Sequence, residues 1–166
     1  PIWMRHDEVV EEVARHPTRR VELTGGEPLL QKGAPVLAER FLELGYEVLC
    51  ETSGERDVSV LPPGVKRIMD LKPPGSGEAH RNRFENLDHL GPGDEVKFVC
   101  TDRADFDWML EQVRAHRLEG RVGLLVSPAY GQVEPAQLAE WLLASGIDAR
   151  LNLQLHKVLW GEVAGR

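Results

Sequence analysis

At 166 residues, 42% of them hydrophobic, the chain is long enough to bury a core as one domain, taken as 1–166. Its 27 acidic against 20 basic residues, a formal charge of −7, argue against broad binding to nucleic acid or to anionic membrane surfaces. No apolar run approaches the roughly 20 residues that span a bilayer, and two cysteines give no disulfide framework, which fits a reducing cytoplasm.

Asp7 to His16 reads as a helix with Val9, Val10 and Val13 on one side. Arg20-Val21-Glu22-Leu23 alternates apolar with polar, which predicts a short strand ending at Thr24. A helix is expected from Pro28 to Leu44, with Gly45 as its stop. Strands follow at Tyr46–Glu51 and Val65–Leu71, separated by a Pro-Pro-Gly turn over Leu61–Gly64. Lys72 to Leu90 lacks helical spacing and is rich in proline, glycine and charge; a long irregular segment of this kind is expected to be functional or mobile. Val96–Cys100 is the next strand, with Asp102 or Asp105 capping a helix that reaches His116. A strand over Arg121–Val126, a helix over Pro135–Ala144 and a last strand over Ala149–Leu155 complete the chain. Strands alternating with helices predict parallel pairing and an α/β fold.

Chemistry concentrates where strands end. Gly25 and Gly26 follow the first strand, where glycine lets a ligand approach the backbone and Glu27 can accept from an ammonium group. Ligands of α/β sheets and barrels bind at such carboxyl ends; a plain turn that uses two glycines is the alternative. Glu51, Thr52 and Ser53 place a carboxylate and two hydroxyls at the next strand end, either for a ligand or as a polar turn. Asp70 and Lys72 share one side of a strand, so Lys72 either neutralises a ligand carboxylate or closes an internal salt bridge. Ser127 precedes Pro128, where its hydroxyl reaches a ligand or forms a local turn. Gln154 and His156 are expected on one face of the last strand, the histidine to bond a heterocycle, move a proton, or serve structure alone. Cys50 and Cys100 read as small buried hydrophobes, too far apart for a cluster-ligand pattern, and the histidines form no zinc pattern. Trp108 and Trp141 fall on apolar helix faces; Trp160, after the last strand, packs in the core or against a second subunit.

Taken in order, Thr24-Gly25-Gly26-Glu27-Pro28-Leu29-Leu30-Gln31, Glu51-Thr52-Ser53-Gly54, Asp70-Leu71-Lys72-Pro73-Pro74-Gly75-Ser76-Gly77, Asp94-Glu95-Val96-Lys97-Phe98-Val99, Ser127-Pro128-Ala129-Tyr130-Gly131 and Leu153-Gln154-Leu155-His156-Lys157 resemble radical SAM enzymes. Among these the chain most resembles the 7-carboxy-7-deazaguanine synthase family, over nearly its whole length. The resemblance implies a partial, truncated (β6/α3)-type TIM-like barrel. It implies a lyase that converts 6-carboxy-5,6,7,8-tetrahydropterin to 7-carboxy-7-deazaguanine in queuosine and 7-deazapurine biosynthesis. The implied cofactors are S-adenosylmethionine, a [4Fe–4S] cluster and Mg²⁺. Carried onto this chain, Gly25, Gly26, Glu27, Glu51, Ser53, Lys72 and Ser127 would bind the cofactor, and Thr24, Gln154 and His156 the pterin. A homodimer, an electron donor such as flavodoxin or ferredoxin, and a cytoplasmic location are implied as well.

Two departures qualify the resemblance. Some family members carry serine where Asp70 stands. The family's three closely spaced cluster cysteines lie upstream of the Gly-Gly-Glu turn, yet only 23 residues precede Thr24 and none is cysteine. The sequence is therefore expected to start after that segment, with the cluster and Mg²⁺ ligands outside it, and to be inactive by itself. Two other readings stay open: a different radical SAM enzyme of the activase type, and a cluster-less barrel that binds a small molecule without catalysis.

Overall fold

The computed structural model describes residues 3–161, the side chains of 156–158 excepted. Six strands form one sheet in chain order: β1 (Arg20–Leu23), β2 (Glu47–Thr52), β3 (Lys66–Asp70), β4 (Glu95–Cys100), β5 (Gly123–Pro128) and β6 (Arg150–Leu151). Every neighbouring pair is parallel. Helix α1 (His6–Val13) precedes the sheet; α2 (Ala34–Glu43), α3 (Arg103–Ala115) and α4 (Pro135–Ser145) cross from β1 to β2, β4 to β5 and β5 to β6. The β2–β3 and β3–β4 crossovers use 3₁₀ turns instead, and α5 (Leu155–Trp160) follows β6. A parallel sheet whose order never reverses is a barrel wall, not a doubly wound sheet. Six strands with three crossover helices agree with the expected truncated barrel.

The strands divide the molecule into a dry side and a polar side. Val48 and Cys50 of β2, and Val96, Phe98 and Cys100 of β4, are buried in the apolar clusters that the helices cover. Phe106, Met109 and Val113 of α3 and Leu138 and Leu142 of α4 pack on the β3–β5 half. Ala38 and Phe41 of α2 pack on the β1–β2 half, where Tyr46 meets Phe41 edge-on at 5.3 Å. The alternate residues, Glu51 of β2 and Lys97 of β4, lie on the opposite, inner face and are only half-buried. A parallel strand packed on both faces is apolar throughout. Charged residues on the inner face mark that surface as one that meets water or a ligand.

Two expectations are corrected, and a third is sharpened. The helix expected from Pro28 to Leu44 is split into a 3₁₀ turn, Pro28–Leu30, and α2. An unbroken helix would press the Pro35 ring against the Gln31 carbonyl, and Gln31 is instead extended, with ψ 109°.

The segment from Lys72 to Leu90, expected to be functional or mobile, is tied down. It forms 3₁₀ turns at Pro74–Ser76, Ala79–Arg81 and Phe84–His89. Buried Asp105 accepts from Gly75 N at 2.8 Å and from Thr101 N at 2.9 Å. A Cβ at Gly75 would collide with Thr101 Oγ1 and the Asp105 carboxylate, which is why glycine stands there. Fully buried Asn86 donates to Gly54 O and Arg56 O and accepts from Val58 N.

The last strand, expected over Ala149–Leu155, stops at Leu151. Asn152 N still donates to Val126 O at 2.8 Å. The next ladder bond would need an N–H from residue 128, a proline. Gln154 therefore sits in a connection and residue 156 in α5, so they do not share a strand face. The His156 side chain lies outside the described residues.

Candidate functional site

The carboxyl ends of β1, β2 and β3 converge on the Thr24–Glu27 turn. Gly25 and Gly26 have φ of +87° and +57°, a region that side chains with a Cβ avoid. Nothing lies within 4 Å of where a Cβ would stand on either. Among the described residues no hydrogen bond engages their peptide groups. The turn thus presents bare backbone donors and acceptors to open space.

Glu27 holds this turn in place. Its Oε1 accepts from Leu29 N at 3.0 Å and Thr52 Oγ1 at 2.8 Å; its Oε2 accepts from Ser53 N at 2.6 Å and Ser53 Oγ at 2.5 Å. Burial pushes the Glu27 carboxyl up, but the bonds from Ser53, Leu29 and Thr52 outweigh it and hold the group below the usual carboxylate range. Four donors occupy the acceptor positions of the carboxylate. What faces a ligand here is the Gly25–Gly26 backbone.

Gly26, Glu27, Ser53 and Lys72 line a cavity of about 360 Å³ together with Glu55, Glu78 and Arg81. Arg81 pairs with Glu55 at 3.5 Å and Glu78 at 2.9 Å. Lys72 Nζ donates to Asp70 Oδ2 at 2.6 Å, so the internal salt bridge is formed. Asn82 fixes the Lys72 backbone from both sides, accepting from its N–H at 2.9 Å and donating to its C=O at 2.8 Å. Asp70 is 9% exposed, and its buried Oδ1 has no hydrogen-bond partner among the described residues.

The other expected residues lie along the sheet. Glu51 accepts from Lys97 Nζ at 2.6 Å on the inner face. Glu22 of β1 stands close to both: its carboxyl is raised by desolvation first and by Glu51 next, with Lys97 opposing. Ser127, 1% exposed, accepts from Asn152 Nδ2 at 3.3 Å. Thr24 is exposed and lines, with Gly25, a separate groove against α1. Gln154 lines a third hollow of about 320 Å³ with Pro128, Tyr130 and Leu153. The structure thus gathers Gly26, Glu27, Ser53 and Lys72 around one cavity and leaves Thr24, Gly25, Glu51, Ser127 and Gln154 outside its lining.

S-adenosylmethionine and the iron–sulfur cluster fare differently. The open Gly25–Gly26 backbone and the mixed-charge cavity beside it fit the charged methionine end of a small cofactor. The thiols do not fit a cluster. Cys50 and Cys100 are both 0% exposed on the helix side of β2 and β4, and burial pushes each thiol up to about 12. Among the described residues no group of three or more His, Cys, Asp or Glu side chains could hold a metal ion.

The chain is 45% identical to 7-carboxy-7-deazaguanine synthase of Koribacter versatilis, across 95% of this chain and 76% of that protein. It is 36% identical to 7-carboxy-7-deazaguanine synthase of Chlorobaculum tepidum, across 95% of this chain and 73% of the relative. Among solved structures, QueE from Escherichia coli superposes with a TM-score of 0.71 at 18% identity, over 90% of this chain and 64% of that one. SuiB of Streptococcus suis, bound to S-adenosylmethionine, gives 0.61 at 10% identity, over 88% of this chain and 40% of that one. These two likenesses concern the fold. No protein-family model matches the chain.

Proposed function

The chain belongs to the 7-carboxy-7-deazaguanine synthase family of radical SAM enzymes, and we propose that it converts 6-carboxy-5,6,7,8-tetrahydropterin to 7-carboxy-7-deazaguanine. The observation that carries the site assignment is the Gly25–Gly26 backbone, unbonded among the described residues and held open by a Glu27 carboxylate whose acceptor positions are all engaged. When bound, S-adenosylmethionine supplies the hydrogen-abstracting chemistry, and the protein orients the reacting groups and excludes water.

The Gly25 and Gly26 carbonyls accept from the methionine ammonium group, with Glu27 fixing the turn. Lys72, at the rim of the same cavity, exchanges Asp70 for the methionine carboxylate. Ser53 borders the cavity through its bond to Glu27, and we assign Glu51 and Ser127, which do not line this cavity, to the more distant parts of the cofactor. Thr24, Gln154 and His156 belong to the pterin side. The [4Fe–4S] cluster and Mg²⁺ are assigned to ligands outside the described residues, and no step here is routed through them. A homodimer, a flavodoxin- or ferredoxin-type electron donor, a cytoplasmic location and a single domain over 1–166 complete the reading.

The test is product formation. Full-length protein, reconstituted anaerobically with iron and sulfide, is given S-adenosylmethionine, Mg²⁺, a strong reductant and the carboxypterin. The expected result is 7-carboxy-7-deazaguanine, identified by its ultraviolet spectrum and mass. Cleavage of S-adenosylmethionine without that product would favour an activase-type enzyme. Failure to bind S-adenosylmethionine would favour a non-catalytic barrel.

A further inference from the structure

The inner face carries a lysine that the functional reading does not use. Lys97 stands in the middle of β4, between Val96 and Phe98, which point into the helix-covered core. Its side chain is 14% exposed, so the ammonium group has little water of its own. The residue directly beside it on β3 is Asp70, a carboxylate within easy reach. Asp70 is taken by Lys72, however, and Lys97 bonds Glu51 instead. Glu51 is on β2, two strands away, so the lysine and glutamate side chains together bridge roughly 10 Å of sheet across β3.

One oxygen of Glu51 is accounted for by this bond. Among the described residues no hydrogen bond engages the other, Oε2, and the side chain is 32% exposed. Glu22 approaches the same pair from β1. Three carboxylates, Glu22, Glu51 and Asp70, thus share the wall with two ammonium groups, Lys72 and Lys97. Without Lys97, Glu51 would face Glu22 with no countercharge and no fixed rotamer.

We propose that Lys97 is a positioning residue: it holds Glu51 as a carboxylate in one rotamer, with Oε2 presented to an N–H or O–H donor of a ligand bound over the inner face. This rests on the functional reading above. A hydroxyl or ammonium group of S-adenosylmethionine and a ring N–H of the carboxypterin offer the same donor chemistry. An ion pair that also orients a ligand-binding acceptor loses more in ligand affinity than in stability when its cation is removed, because a methionine stem keeps the packing.

The test uses full-length reconstituted protein and four chains: wild type, Lys97→Met, Lys97→Arg and Glu51→Gln, with the Lys97→Met/Glu51→Gln double variant closing the cycle. S-adenosylmethionine affinity is read by calorimetry, the carboxypterin by KM and kcat separately, and folding by a melting curve. Lys97→Met is expected to weaken one ligand about tenfold or more, which identifies the ligand that Glu51 touches, with only a small fall in melting temperature. Lys97→Arg is expected to restore most of the loss. In the Glu51→Gln background Lys97→Met is expected to cost nothing further. The proposal is overturned if Lys97→Met binds both ligands like wild type. Equal losses in both backgrounds, no recovery with arginine, or failure of Lys97→Met to fold would each make the lysine structural and overturn it too. Wild type that binds neither ligand would remove the functional reading itself.

Discussion

Glu27→Gln is expected to weaken S-adenosylmethionine binding about tenfold or more and to lower stability by about 1–3 kcal/mol. The cause is the geometry of the turn. Glu27 accepts from two backbone N–H groups and two hydroxyls. A glutamine has one oxygen, so its NH₂ must face either Leu29 N or Ser53 N. The hydroxyl on that side can rotate and accept; the backbone N–H cannot. One backbone donor is left unpaired in a half-buried site, and the Gly25–Gly26 peptides lose their fixed position. The acid limb should change as well. Because the folded Glu27 carboxyl titrates below its ordinary value of 4.5, its ionised form contributes stability above that pH, and the contribution is lost as pH falls through the lower folded value. Glu27→Gln removes that dependence. Urea melts at neutral and acidic pH, run beside calorimetry, check both parts; an unchanged affinity and an unchanged acid limb would show that the clamp is idle.

Asn86→Ala is expected to cost about 2–4 kcal/mol. This side chain is 0% exposed and joins the segment after β3 to the one after β2. Alanine leaves the Val58 N–H, the Gly54 C=O and the Arg56 C=O without partners and opens a void. Asn86→Asp keeps the volume but turns a carboxylate toward two carbonyls, and is expected to cost at least as much. Gly54 directly follows Ser53, so either change should also reduce S-adenosylmethionine affinity. Denaturant unfolding of both variants checks the first effect and calorimetry the second. A loss under 1 kcal/mol would mean the 3₁₀ segment is held by its apolar contacts alone.

The strands were legible because alternation is a local signal. Val48, Cys50, Val96 and Phe98 mark the helix side, with Glu51 and Lys97 opposite. The open turn at Gly25 and Gly26 was legible too, because two adjacent glycines at a strand end are a local signal. The partners of Glu27 were not. Thr52 and Ser53 read either as ligand groups or as a polar turn, and only the fold shows that both donate to a carboxylate about 25 residues earlier. Asn82, Asn86 and Lys97 are ordinary polar residues in sequence; their roles come from bonds spanning 10, 28 and 46 positions. Leu153-Gln154-Leu155 alternates like a strand, but a strand also needs a partner with donors, and Pro128 removes the next one.

The central claim is that S-adenosylmethionine is held at the Gly25–Gly26 backbone beside the cavity of Ser53 and Lys72. A crystal structure of the full-length protein soaked with S-adenosylmethionine tests it most directly. The expected result is the methionine ammonium about 3 Å from the Gly25 or Gly26 carbonyl oxygens, with the methionine carboxylate at Lys72 Nζ and the Glu27 bonds unchanged. Cofactor density in the hollow of Tyr130 and Gln154, with the Gly25–Gly26 turn left bare, would contradict it.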